Sequence, residues 1–302
     1  MSRRSALKLG AGAALLPSLA LPDPKVAIGC NHNVFHGMRT RVPGTDAVRI
    51  YITDYGYIPR RWPDRLPSAT SWAGGPVIPP GTEVVLSIRP MPHALFAGLY
   101  DDRIRGLVRS APPNQALNAF PEAGPGNPMG YPASIDNATT ISRVHRYLRQ
   151  LCRGTNVRYG SIICAPANQI VPWLGERLDW YGLDTYCFPA EYRKPDGTID
   201  VPKWLHRMRE NRLTWQRVSG TGNPTIKICE TNAPHDSNRS AWFTMVAGWL
   251  AIHGGANPAM LTYWNPEHDL AHGGLSGPWP PSEGVVDTLQ FLVRKYSMRK
   301  AT

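Results

Sequence analysis

Two runs decide how this 302-residue chain folds: Trp180-Tyr181-Gly182-Leu183-Asp184-Thr185-Tyr186 and Thr225-Ile226-Lys227-Ile228-Cys229-Glu230. Each is short and mostly apolar, and each closes on polar groups. Runs that are nearly continuous in hydrophobicity, instead of alternating, belong to strands covered by helices on both faces. Between the two lies Pro202–Arg217, where Trp204, Leu205 and Met208 recur at helical spacing. Strand, helix, strand is the building unit of a parallel sheet.

Working outward, the same signature recurs. Short apolar, β-branched runs bounded by Pro, Gly or Asn occupy Lys25–Asn31, Ala47–Thr53, Glu83–Ile88, Gln115–Phe120, Arg158–Ala165 and Met260–Trp264. Helical spacing appears at Ile141, Val144, Leu148 and Leu151, with Gly154 as a stop. It appears again at Trp242, Met245, Val246 and Trp249, and at Val285, Val286, Leu289, Leu292 and Val293. About eight strand–helix alternations in ~280 residues predict a single-domain α/β fold, a (β/α)8 TIM barrel, over residues 21–302. Trp62–Gly81 is rich in Pro, Ser and Gly and reads as an irregular excursion. A doubly wound open sheet is the competing architecture. It has no glycine-rich phosphate loop after its first strand to support it.

Residues 1–20 are read as a leader. Ser2-Arg3-Arg4-Ser5-Ala6-Leu7-Lys8 precedes the apolar stretch Leu9–Leu19, and Ser18-Leu19-Ala20 supplies small residues for cleavage. That is the layout of an export signal of the twin-arginine type, so a secreted or periplasmic protein is expected. Separately, a monomer is expected. The stretch is too short and too rich in Gly and Ala for a stable membrane span. The net charge of +11 falls to +8 without Arg3, Arg4 and Lys8. A basic exported chain favours anionic partners such as acidic glycans, although solubility alone accounts for the charge equally well. The arginines are dispersed and no nucleic-acid-binding motif accompanies them, so no nucleic-acid partner is expected. Of five cysteines, Cys30, Cys164, Cys187 and Cys229 lie in or at the end of apolar runs, as small core residues do. A bridge such as Cys187 with Cys229 stays open. No CxxC spacing points to zinc.

In an eightfold barrel the chemistry sits where strands end at their C-terminal side. Those ends read Asn31-His32-Asn33, Asp54-Tyr55, Arg89-Pro90, Pro121-Glu122, Ala165-Pro166-Ala167-Asn168, Asp184-Thr185-Tyr186, Glu230-Thr231-Asn232 and Tyr263-Trp264-Asn265. They are polar and aromatic where the run interiors are not. Glu122 follows the fourth run and Glu230 the seventh. Two carboxyls facing each other across a barrel mouth suit the cleavage of a glycosidic bond, which needs one protonated acid and one ionised carboxylate.

The pieces Leu117-Asn118-Ala119-Phe120-Pro121-Glu122, Trp180–Tyr186, Ile226-Lys227-Ile228-Cys229-Glu230 and Leu261-Thr262-Tyr263-Trp264-Asn265 together resemble glycoside hydrolase clan A. Within it they resemble exported, mannanase-like actinobacterial barrels. The resemblance runs from about residue 115 to 293. It implies a retaining mechanism, with Glu122 as acid/base, Glu230 as nucleophile, Tyr186 bonded to the nucleophile and Trp264 as a sugar-stacking floor. Asn31, His32, Asp54, Arg89, Tyr186, Asn232, Tyr263 and Trp264 are the candidate substrate-binding residues. Asp184 is equally a structural partner at the rim. The implied substrate is a carbohydrate, and no cofactor or metal is expected. One position departs from the pattern: the family's Asn or His before the acid is Pro121 here, which has no side-chain hydrogen bond to offer. A catalytically inactive, glycan-binding barrel is therefore the alternative.

Trp62, Trp72, Trp173 and Trp279 lie in polar or Pro/Gly-rich stretches, where they could stack on sugars or pack under loops. Trp180, Trp242 and Trp249 read as core. The pairs His32/His36 and His268/His272 are spaced as zinc ligands on a helix would be, but they lie in loop-like stretches and HExxH is absent. No GxSxG elbow supports a serine hydrolase.

Overall fold

The computed structural model describes residues 26–31, 39–68, 74–126, 129–175, 177–187, 191–233, 236–255, 259–263 and 283–296. Eight strands close into a barrel in sequence order, each parallel to its neighbours. They are β1 (Val26–Asn31), β2 (Ala47–Tyr51), β3 (Glu83–Ile88), β4 (Gln115–Ala119), β5 (Val157–Ile163), β6 (Trp180–Tyr186), β7 (Ile226–Asn232) and β8 (Ala259–Tyr263). The helices are α1 (Pro92–Phe96), α2 (Asp101–Arg109), α3 (Ala138–Cys152), α4 (Ala167–Leu174), α5 (Val201–Ser219), α6 (Asp236–His253) and α7 (Glu283–Tyr296). The expected barrel is therefore the observed fold, and the open sheet is excluded by the β1–β8 pairing.

The core has two parts. Inside the barrel, Ala27, Ala47, Val85, Ala116, Ile162, Trp180, Cys229 and Met260 pack together, one residue from each strand. The alternate residues face outward and pack under the helices. Helix boundaries follow from capping. The Asn137 side chain accepts from the Thr140 amide at 2.8 Å and opens α3, whose inner stripe is Ile141, Val144, Leu148 and Leu151. Asp200 caps α5, which stops at Gly220 in the left-handed conformation. Trp204 meets Trp242 and Trp249 edge-on between α5 and α6. No described helix is long and apolar enough to cross a membrane.

Several expectations shift. Strand β4 stops at Ala119 because Phe120 takes a positive φ of 49°. Strand β7 continues past Glu230 to Asn232. The Trp62–Gly81 excursion folds back on itself through an antiparallel bridge between Arg65 and Val77, and Trp62 is buried instead of offered to sugar. Trp173 is half-buried against the core, and Trp72 and Trp279 lie outside the described residues. Cys187 and Cys229 are free, as are Cys30, Cys152 and Cys164, so the suggested bridge is absent.

Candidate active site

Strand parity and one bulge set the geometry. Arg49 lies two residues beyond Ala47 and Asp184 four beyond Trp180, so both side chains share the lumen face of those residues. Glu230 would not. Ile226 and Ile228 face the helices, and strict alternation would send Glu230 the same way. The β6–β7 register, however, steps from Leu183↔Ile228 to Asp184↔Glu230, leaving Cys229 as an extra residue on β7. This bulge turns Glu230 into the lumen beside Asp184, a re-aiming that bulges commonly perform.

Arg49 crosses the barrel from β2 to meet both carboxylates. Its Nη1 donates to Asp184 Oδ1 at 2.8 Å and Oδ2 at 2.9 Å, and lies 2.8 Å from Glu230 Oε1. The guanidinium is fully buried, 4.3 Å above the Tyr51 ring. Burial opposes its charge, but Asp184 and Glu230 outweigh that effect and hold it firmly protonated. On the other oxygen of Glu230, the Tyr186 hydroxyl donates a short hydrogen bond to Oε2. Burial first, and then the negative charges of Asp184 and Glu122, keep that phenol protonated.

Glu122 reaches the same centre from a different backbone. Phe120, Pro121 and Glu122 form a turn beyond β4, with Glu122 at a φ of 64°. Left-handed conformations cost a non-glycine residue ~1–2 kcal/mol and persist only when neighbours impose them. Here the Glu122 amide donates to the Ile162 carbonyl at 2.8 Å, and the Tyr131 hydroxyl donates to the Pro121 carbonyl at 2.8 Å. Pro121 thus contributes its carbonyl to the turn where its ring contributes no polar contact. The half-buried Glu122 carboxyl accepts from the Cys164 thiol at 2.8 Å, and a carboxylate oxygen of Asp184 lies within 4.8 Å of it. Burial, followed by the two carboxylates, keeps Cys164 a thiol. Burial also raises Asp184 well above the usual carboxylate range, with Arg49 opposing and Glu122 reinforcing.

The lumen therefore presents three carboxyls: Glu122 and Asp184 close together, and Glu230, which is held by a guanidinium and a phenol.

The other candidates disperse. Arg89, half-buried at the end of β3, lies 5.2 Å from the Tyr131 ring centre and 5.7 Å from that of Tyr55. Asn31 is buried in the lumen, and neither polar atom of its side chain has a hydrogen-bond partner among the described residues. Asp54 is exposed and takes no part in the carboxylate cluster. Asn232 and Tyr263 close β7 and β8. His32 and Trp264, like His36, His268 and His272, lie outside the described residues. Sequence reasoning passed over Arg49 and Cys164. The signal for Arg49 was there, a lone charge inside Ala-Val-Arg-Ile-Tyr that can enter a core only by meeting a buried acid. Glu122, Cys164 and Asp184 have ligand atoms close enough to consider a metal, yet the Arg49 cation already occupies the Asp184 side of that cluster.

No protein-family model matches this chain, and no curated protein matches it. Solved structures do. A ruminal GH26 endo-β-1,4-mannanase is similar with a TM-score of 0.50 at 11% identity, over 89% of this chain and 63% of that one. The ZgEngAGH5_4 wild-type structure gives a TM-score of 0.54 at 11% identity, over 89% and 96%. One of two fungal β-1,4-galactanases gives 0.51 at 12% identity, over 88% and 93%. This chain thus spans less than two thirds of the mannanase. At such identities the likeness is one of fold: the protein is a (β/α)8 barrel of the kind these glycosidases use.

Proposed function

We propose that the protein is a retaining glycoside hydrolase of the clan A type, with Glu230 as nucleophile and Glu122 as acid/base. The observation that carries this reading is the split environment of the carboxyls. Arg49 and Tyr186 hold Glu230 from both oxygens, while the half-buried Glu122 has the Cys164 thiol and the carboxyl of Asp184 beside it. Two carboxyls in environments this different can divide the roles of nucleophile and acid that acetal cleavage requires. In the first step Glu230 attacks the anomeric carbon, the glycosidic C–O bond breaks, and the leaving oxygen takes the proton from Glu122. In the second, water gives a proton to Glu122 and attacks the same carbon, releasing Glu230. Arg49 stabilises the carboxylate that leaves.

The substrate is a poly- or oligosaccharide, the protein acts as a monomer, and residues 1–20 direct it out of the cytoplasm. The test is hydrolysis of β-1,4-linked manno-, gluco- and galacto-oligosaccharides followed by proton NMR. The β anomer should appear first. First appearance of the α anomer would overturn retention.

A second reading is a glycan-binding barrel without turnover. It rests on Pro121, which leaves no side-chain amide or imidazole beside the acid, and on the hydrogen bond that ties Glu122 to the Cys164 thiol. Binding of these oligosaccharides with no reducing-end release would support it.

A further inference from the structure

Arg49 and Arg89 both approach the barrel mouth, but their surroundings differ. Arg49 has two buried carboxylates. Among the described residues, Arg89 forms an ion pair with no Asp or Glu. Its contacts are the Tyr131 and Tyr55 rings, the Tyr131 hydroxyl and a long 3.5 Å approach to the Thr53 carbonyl. Those two rings meet edge-to-face at 6.5 Å and clamp the guanidinium. The clamp is built beside the acid. Tyr131 is bonded to the Pro121 carbonyl, and the Phe120 amide donates to the Ile88 carbonyl at 3.0 Å, so the ends of β3 and β4 stay together. Tyr131 feels the charges of both Arg89 and Glu122.

Resting on the glycosidase reading, we propose that Arg89 makes this barrel selective for an acidic glycan, one whose sugar beside Glu122 carries a uronate-type carboxylate. A half-buried guanidinium that meets only a phenol hydroxyl and a distant carbonyl keeps donors to spare, and its planar fork matches a carboxylate in bidentate fashion. The tyrosines immobilise the fork, so little rotamer freedom is lost on binding, and their rings offer apolar faces to a sugar. A neutral sugar would leave the cation without a counter-charge. The excess of positive charge on the chain, +8 without residues 1–20, favours encounter with an acidic polymer.

The test is calorimetric titration of the Glu230→Gln protein with matched pairs: β-1,4-mannotetraose against tetramannuronate, and cellotetraose against its tetraglucuronate. In at least one pair the uronate should bind about tenfold tighter or more, as expected for charge-assisted hydrogen bonds. Arg89→Met should bring that pair to parity while leaving the neutral affinity within about threefold, and Arg89→Lys should keep part of the preference. A preference that survives Arg89→Met overturns the proposal. So does the lack of any uronate preference, absent binding included, and that wild-type ratio decides the matter if Arg89→Met does not fold. Turnover by the wild-type enzyme is read separately. Hydrolysis without uronate preference removes the role of Arg89 and leaves the glycosidase standing. Uronate preference without hydrolysis does the reverse.

Discussion

Arg49 Nη1 lies 2.8 Å from Glu230 Oε1, in a contact that joins β2 to β7 through the barrel interior. The same nitrogen also holds Asp184, so one guanidinium neutralises two carboxylates on neighbouring strands. Replacing it with Met would leave both acids buried without a counter-charge. The cost expected is about 3–5 kcal/mol of stability, and kcat/KM should fall about 10²–10³-fold. Urea denaturation and steady-state kinetics on Arg49→Met check this. A loss under about 1 kcal/mol would show that the ion pair does not organise the site.

Glu122 is assigned to the leaving group, so its removal should hurt poor leaving groups most. Glu122→Ala is expected to lose about 10²–10⁴-fold on natural oligosaccharides, and much less on dinitrophenyl glycosides, which need no protonation. Equal losses on both substrates would remove Glu122 from the acid role.

His145 offers a pH test away from the chemistry. It is fully buried on α3, with Nδ1 2.9 Å from the Tyr159 hydroxyl, and burial lowers its pKa to about 4. Its folded pKa lies below the unfolded value of ~6.5, so the unfolded chain binds the extra proton between those values. Stability from the neutral imidazole is complete above ~6.5 and lost as pH falls toward 4, by roughly 2–4 kcal/mol. Asp184 works with the opposite sign, because its raised pKa favours the native state at acid pH. The comparison of wild type with His145→Gln isolates the histidine: the gap between their denaturation midpoints should narrow from pH 7 to pH 4.5. A constant gap would refute the assignment.

All five cysteines are free, and burial raises the pKa of Cys30, Cys152, Cys187 and Cys229. Thiol titration should therefore give slow reaction of the native protein at pH 8 and five thiols per chain in guanidinium. A titre of three or fewer in denaturant would mean that a bridge forms.

The strands were readable because each is a short apolar run with polar residues at its end, and β3 and β6 fall where that pattern puts them. The site was readable in part. Glu122 and Glu230 stand out as acids that follow apolar runs. The inward turn of Glu230 depends on a one-residue bulge at Cys229, which has no compositional mark. The partnership of Arg49 with Asp184 spans 135 residues, a distance that local spacing cannot resolve. Cys164 reads as core filler from its apolar neighbours, yet its place two residues past Ile162 puts it on the lumen face with Glu122. Asp54 was a reasonable candidate by position, but β2 ends at Tyr51 and the turn that follows carries it to the surface.

The central claim is that Glu230 forms the glycosyl-enzyme bond. Incubation with 2-deoxy-2-fluoro glycosides of the gluco, manno, galacto and uronic series, then digestion and mass spectrometry, tests it directly. The predicted result is one fluorosugar per chain, on the peptide containing Glu230, and none on Glu230→Gln. Hydrolysis of the parent glycan with the label on Asp184 or Glu122, or with no label on any peptide, would contradict it.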